Sequence, residues 1–262
     1  MNLSVDTSQR TIKISLRNVR KDFRKGDGTD LTAIANLSFD VYEGEFLCLL
    51  GPSGCGKSTC LGLLGRIDTP SGGEIRFSGQ RDSYKIGFVF QSPRLLPWKT
   101  IWKNVRFSLE SQKPFPRQEW NERAAKAIEL VGLNGFEGCF PHQLSGGMQI
   151  RGAIARALAL EPEVLLLDEP FSNLDEITAK KVRKELLSIW RRLGMTIVFI
   201  THDLHEAVFL ADRILLLTPR PMSLFNEFMI TVPRPRSYSE PDLFEAETQI
   251  ARAFEAMMPS EE

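Results

Sequence analysis

The chain has 262 residues, 42% of them hydrophobic and 25% charged, and Lys+Arg and Asp+Glu both total 33, so its formal net charge is zero. That length suits one large domain or two small ones with a sizeable core, and balanced charge argues against a general polyanion binder. The N-terminal MNLSVDTSQRTIKI lacks the apolar core of a signal peptide, and the longest apolar runs (FLCLL, VLLL, IVFI, ILLL) fall far short of the roughly 18 residues that cross a bilayer.

A soluble, unexported chain is therefore expected, whose membrane role runs through a partner. Cys48, Cys55, Cys60 and Cys139 form no CxxC pair and no Cys/His cluster of zinc spacing, so a metal site of that kind is not expected. A reduced, cytosolic setting fits them.

In chain order, the stretches 11–46 and 73–90 alternate polar and apolar residues, with Gly between, and predict a small antiparallel sheet at one edge. The runs EFLCLLG (45–51), KIGFVFQ (85–91), EVLLLDE (163–169), TIVFIT (196–201) and RILLLTP (213–219) read as buried parallel strands. Residues 92–157 hold no strong strand and predict an inserted helical subdomain. EITAKKVRKELLSIWRRL (176–193) places Val182, Leu186, Ile189 and Leu193 on one helical face and stops at Gly194. Strands alternating with helices mean an α/β fold with a mostly parallel sheet. The tail after about residue 236 starts polar, ends in a short helical pattern and is too short for an independent domain.

GPSGCGKST (51–59) matches G-x-x-x-x-G-K-[ST] directly after the strand-like EFLCLL. Its glycines let backbone N–H groups curl around phosphate oxygens. Lys57 brings a charge to the β/γ-phosphates, Ser58 is a Mg²⁺ ligand, and the helix from about Lys57 aims its N-terminus at the anion. Gly51, Ser53, Gly54, Cys55, Gly56, Lys57, Ser58 and Thr59 are the nucleotide-binding residues expected here. Cys55, beside a helix N-terminus, is expected to have a lowered thiol pKa.

VLLLDEP (164–170) is an apolar strand ending in two acids. Asp168 suits Mg²⁺, and Glu169 suits a general base that polarises the attacking water. Gln91, at the end of FVFQ, would touch Mg²⁺ or the water; taken alone it also reads as a surface glutamine. His202, after TIVFIT, would hold the γ-phosphate and orient the water. His142 and His205 read as surface or packing residues. Phe23, in KDFRKGDG, reads equally as a purine-stacking ring or as a core residue.

LSGGMQIRGAIARAL (144–158) sets a Ser-Gly-Gly turn at the start of a helix. Local chemistry makes Ser145 a helix cap, and an anion site only with further support.

In this order, Phe23, the loop 51–59, Gln91, LSGGM (144–148), VLLLDEP, NLD (173–175) and TH (201–202) resemble the ATP-binding cassette (ABC) ATPases over about residues 12–236. PHQLSGGM, LLPW, THDLHEAVFLADRILLL and VPRPR are similar to ATPase subunits of nitrate, sulfonate or taurine importers. The resemblance implies a P-loop NTPase (RecA-like) core with a small antiparallel β-subdomain and an inserted α-helical subdomain. The cassette would occupy 1–236, with 92–157 as its helical part and 237–262 as a short helical tail.

It also implies ATP and Mg²⁺ as cofactors and a head-to-tail homodimer, in which Ser145, Gly146 and Gly147 of one subunit cover the ATP held by the other. Asp175 would lie near the dimer interface. Transmembrane permease subunits would be partners, an external solute-binding protein an indirect one, and nucleic acid none. The location implied is peripheral, at the cytoplasmic face of the inner membrane. The segment from Gln91 to about Val105, with Leu95, Leu96, Pro97 and Trp98 exposed-looking, would border the permease's docking groove or else pack on its own domain.

The commonest signature of the family, LSGGQ followed by Arg-Gln-Arg, is altered at Met148, Gln149 and Ile150, and Asn173 and Glu176 replace smaller residues. A soluble ABC ATPase acting on DNA or ribosomes is the alternative. It is disfavoured by the 52 residues between Gln91 and Leu144, too few for long coiled coils, and by the single cassette.

Overall fold

The computed structural model describes residues 10–24, 26, 28–78, 85–113 and 115–258. The N-terminal nine residues, part of the expected edge-sheet stretch (79–84) and the last four residues of the tail lie outside them. The chain forms two compact units, one from residues 1–84 with 200–262 and the other from 85–199.

The first unit opens with β1 (Ile12–Arg24), β2 (Asp30–Tyr42), β3 (Phe46–Leu50), α1 (Lys57–Leu64) and β4 (Gly72–Phe77). The second contains β5 (Ile86–Val89), α2 (Ile101–Gln112), α3 (Trp120–Leu130), α4 (Gly146–Leu158), β6 (Val164–Asp168) and α5 (Glu176–Leu193). It then enters β7 (Thr196–Thr201), whose last two residues return the chain to the first unit for α6 (Leu204–Leu210), β8 (Arg213–Leu217), β9 (Met222–Met229) and α7 (Pro241–Met257).

In the first unit the strand order is β4-β1-β2-β9-β8-β3. The β1 and β2 strands pair antiparallel, and their alternation buries Ile14, Leu16, Val19, Ile34, Leu37 and Val41. On the other edge of β1, β4 pairs Leu16 with Ile75 and Ile14 with Phe77. Of the antiparallel sheet expected at 73–90, the described residues thus carry pairing to Phe77, whereas Ile86–Val89 pairs in parallel with Val164–Leu167 instead. Alternation marks a strand but not the edge on which it pairs.

All five residues of β3 are buried, and β3 runs parallel to β8 with Leu50 opposite Leu216. The other edge of β8 is antiparallel to β9, so 213–217 is a parallel strand on one side only. The tail helix α7 buries Leu243 and Ile250 and packs on α6 and β9.

A buried ion pair locks β3 to β8. Arg213 and Glu45 are 2% and 4% exposed and meet at 2.8 Å, and Arg213 also reaches Glu227 at 3.1 Å and the Asp40 carbonyl at 2.5 Å. Burial pushes the Glu45 carboxyl up while Arg213 pulls it back; a guanidinium does not give up its proton, so the pair is held as ions.

In the second unit, whose strands follow the order β7-β6-β5, residues 92–163 carry helices and no strand among the described residues. The side chain of Thr100 caps α2 by accepting from the Lys103 N–H. Buried Asn104 ties down the preceding loop: its Oδ1 accepts from the Leu96 N–H at 2.7 Å, and its Nδ2 donates to the carbonyls of Leu96, Lys99 and Thr100. The α5 helix has the expected limits and stops at Gly194, with Val182, Leu186 and Ile189 buried. Leu193 departs from that face and is 42% exposed, because it is the last helical residue and lies beyond the covered turns.

Glu45→Ala is expected to lower the unfolding free energy by about 3–5 kcal/mol by leaving Arg213 charged and underpaired in the interior. Urea-induced unfolding followed by circular dichroism measures it, and a loss below about 1 kcal/mol would show the pair to be dispensable.

Candidate active site

The first unit carries the glycine-rich loop. The buried β3 strand ends at Leu50, and α1 starts at Lys57, so Gly51–Gly56 must connect a parallel strand to a helix within a short turn. The ammonium of Lys57 is folded against its own loop, donating to the carbonyls of Gly51 at 2.8 Å and Pro52 at 3.0 Å. Gly56 sits at φ 124, and a Cβ there would lie 3.1 Å from the Ala33 carbonyl, so only glycine fits. Ser53, Gly54 and Ser58 are exposed, and Thr59 is half-buried. A lysine held at the mouth of a glycine turn that opens a helix is the arrangement a polyphosphate needs.

Cys55 departs from its expectation. It is buried against Met222, with Sγ to Sδ 4.0 Å, and burial pushes its thiol up despite the nearby charges of Lys57 and Arg220. Desolvation outweighs the helix N-terminus. Cys60, deeper still, is pushed up to about 12.

His202 is exposed in a turn pinned on both sides. Thr201 Oγ1 accepts from the Asp203 N–H at 3.0 Å and donates to buried Glu206 at 2.7 Å, while Asp203 caps α6. Glu206 is close enough to Cys48 of β3 to raise that thiol beyond the effect of burial, so the His202 turn abuts the strand that delivers the glycine loop. Phe23 is not a core residue: it is 39% exposed near the end of β1, with Lys21 Nζ 4.9 Å from its ring centroid. His142 stacks on Phe140, and His205 pairs with Glu247.

The second unit carries the acids. Asp168 ends β6, and Glu169 follows at φ 42, in the left-handed region that costs a residue with a Cβ about 1–2 kcal/mol. Ser172 holds that turn, its backbone N–H and its hydroxyl both donating to the Glu169 carbonyl, at 3.3 and 3.0 Å. Gln91 donates to the Ser172 oxygen at 3.3 Å. Gln91 and Glu169, 78 residues apart in the chain, are thus joined through one serine.

The LSGGM turn is a capped helix start. Ser145 Oγ accepts from the Met148 N–H at 3.3 Å, which leaves its own hydroxyl proton to donate elsewhere. Gly146 and Gly147 open α4, and a Cβ on Gly147 would lie 2.6 Å from Thr178 Cγ2 of α5, so glycine here lets two helices approach. Ile150 is 3% exposed, which explains a hydrophobe where the family has a polar residue. Asp175 caps α5 through the Thr178 N–H, and hydrogen bonds from Thr178 hold its carboxyl below the usual range. Glu176 is accounted for by buried Arg183, which reaches it at 3.1 Å and lowers its pKa. Gln149 donates from Nε2 to the Leu144 carbonyl at 3.2 Å, which ties the start of α4 to the segment before it; nothing in the structure explains Asn173. In the 91–105 loop Trp98 is 71% exposed, whereas Leu95 and Leu96 are half-buried, drawn in by Asn104 and by packing against Gly152.

Among the described residues no group of three or more His, Cys, Asp or Glu is placed to hold a metal. A Mg²⁺ that arrives with its nucleotide needs no such cage: phosphate oxygens and water supply most of its ligands, and one hydroxyl and one carboxylate complete them.

The family model described as ABC transporter matches residues 34–172. The chain belongs to the ABC transporter ATPase family. It is 38% identical to an aliphatic sulfonates import ATP-binding protein of Bacillus cereus, covering 92% of this chain and 96% of that one. It is 40% identical to a nitrate import ATP-binding protein of Synechocystis, covering 86% and 89%. These relatives place the cassette in the sulfonate/nitrate branch. A solved dimeric ATP-binding cassette in a post-hydrolysis state, bound to ADP and Pi, is 34% identical, with a TM-score of 0.72 over 84% of this chain and all of that one. ABC cassettes hydrolyse ATP with Mg²⁺, so the chain is an ATPase. None of its described helices is long and apolar enough to cross a membrane.

Two outcomes are expected. Gly147→Ala should destabilise the cassette by about 1–3 kcal/mol through overpacking, and adding Thr178→Ser, which removes the clashing methyl, should restore most of the loss in thermal melts. Iodoacetamide at pH 7.5 should label Cys139 well before Cys55, and Cys55 labelling should rise with pH; rapid labelling of Cys55 at neutral pH, read by peptide mass spectrometry, would contradict the buried thiol.

Proposed function

We propose that this ATPase is the energy-coupling subunit of an importer for a small anion of the sulfonate or nitrate kind, and that it works as a head-to-tail homodimer. The observation that carries the reading is the likeness to the sulfonate and nitrate import ATP-binding proteins along nearly the whole chain, with the phosphate loop, Gln91, Ser145, Asp168, Glu169 and His202 all present. The dimeric cassette among its structural relatives supports the pairing.

In this reading Lys57 and the backbone of Gly51, Ser53, Gly54, Cys55, Gly56, Ser58 and Thr59 hold the nucleotide's phosphates, and Phe23 stacks on its base. Ser58, Asp168 and Gln91 would hold the Mg²⁺, which would supply positive charge to the phosphates. Glu169 draws a proton from the attacking water, and His202 orients that water. Ser145 donates its free hydroxyl proton to the partner subunit's nucleotide, with the N–H groups of Gly146 and Gly147 beside it, and Asp175 approaches the same interface. The signature turn acts through Ser145 and the backbone, so Met148 is tolerated. Trp98, exposed beside the Gln91 segment, faces a coupling helix of the transmembrane permease. This docks the chain peripherally at the cytoplasmic face of the membrane, and its contact with an external solute-binding protein runs only through that permease.

The domain reading that accompanies this is a cassette over 1–236, with 92–157 as its helical part and a tail at 237–262. The link from Gln91 through Ser172 to the Glu169 turn offers a path by which a push on the Gln91 segment alters the proposed base.

Glu169→Gln is expected to cut ATP turnover by at least about a hundredfold, the scale of general-base catalysis, and to accumulate an ATP-bound dimer in size-exclusion chromatography. Wild-type turnover in that variant would refute the assignment of the base. A deletion strain should fail to grow on an aliphatic sulfonate as sole sulfur source or on nitrate as sole nitrogen source; undiminished growth on both would refute the proposed substrate class.

A further inference from the structure

The phosphate loop has a second support that no sequence motif marks. The β8 strand runs parallel to β3 with Leu50 opposite Leu216, so the turn after β8 emerges beside the point where the loop leaves β3. That turn is rigid: the Thr218 N–H donates to the Ser223 carbonyl at 3.0 Å, and the Ser223 N–H donates to Thr218 Oγ1 at 2.9 Å. It lies against the loop at three places. A Cβ on Gly51 would come 3.0 Å from the Leu217 carbonyl, Met222 touches Cys55, and the Arg220 guanidinium donates to the Gly54 carbonyl at 2.6 Å.

Gly54 is the tip of the loop. It sits at φ 75, exposed, and a Cβ built there would have nothing within 4 Å. Packing therefore does not fix it. Lys57 holds the base of the loop through the carbonyls of Gly51 and Pro52, and Arg220 holds its tip at the wall of a cavity of about 410 Å³ that Pro219 and Met258 also line. A glycine-rich tip that is loose before binding must lose its freedom when phosphate arrives, and a charge-assisted hydrogen bond already in place removes part of that cost.

We propose that Arg220 is a positioning residue for nucleotide binding: by fixing the Gly54 carbonyl it preshapes the phosphate loop, without itself touching the nucleotide. The inference rests on the reading of residues 51–59 as the phosphate site. Arg220 is exposed, so its removal leaves the core intact.

The test compares Arg220→Ala, Arg220→Lys and Lys57→Ala in the purified chain, measuring KM and kcat for ATP, affinity for a fluorescent ATP analogue, and Tm without nucleotide. Arg220→Ala should raise KM and weaken analogue binding by about tenfold, the worth of one charge-assisted hydrogen bond, with kcat and nucleotide-free Tm unchanged, and Arg220→Lys should recover part of the affinity. Unchanged affinity in Arg220→Ala, alongside loss of binding in Lys57→Ala, would overturn the role of Arg220 alone. A fall in nucleotide-free Tm with no rescue by lysine would show plain structural support instead. Full affinity in Lys57→Ala would overturn the phosphate-site reading itself.

Discussion

The backbone groups of β3, β5, β6, β7 and β8 lie in short strands made largely of buried aliphatic and aromatic side chains. In that setting each N–H and C=O must find a partner strand, and side chains covered on both faces leave little room for polar groups along the strands. Polar chemistry is confined to their ends. Gly51 follows β3, Gln91 lies just beyond β5, Asp168 closes β6 with Glu169 next, His202 follows β7, and the Arg220 turn follows β8. All five are carboxyl ends, where parallel sheets habitually place their ligands. Burial of these strands thus decides where polar side chains can stand in each unit.

Much of this was legible in the sequence because the signals are local. An apolar run followed by glycines or acids reports a strand and its polar exit, and the limits of α5 follow from Asp175 and Gly194, two residues with their own conformational demands. The signature turn needed more: its local chemistry supports a capped helix, which the structure has, and only its order among the other motifs leads to an expected ligand. What escaped depends on side-chain bonds that no periodicity encodes, whether local, as Ser172 on Glu169 and Glu206 on Thr201, or distant in the chain, as Arg220 on Gly54. Cys55 misled because the effect of a helix N-terminus can be read from sequence position, whereas burial by Met222, 167 residues away, cannot. Leu193 misled because periodicity continues to the end of a helix even where the surface beneath it does not.

Several proposed nucleotide contacts also carry the fold. Ser145 caps α4, Asp175 caps α5, and Gly147 admits Thr178 between the two helices. A substitution at any of them removes local stability and the proposed contact together, so loss of activity there identifies neither cause by itself. Ile150 and Glu176 show the reverse case, departures from the usual pattern that the fold explains by burial and by pairing with Arg183.

The left-handed backbone of Glu169 has an evolutionary corollary. Glycine or asparagine would occupy that conformation with less strain, so the fold on its own favours a residue that has no carboxylate there. Selection for thermal endurance without a demand for turnover would push this position away from glutamate. Libraries sorted on stability alone would then be enriched in cassettes that are hardier and, with the proposed base gone, silent.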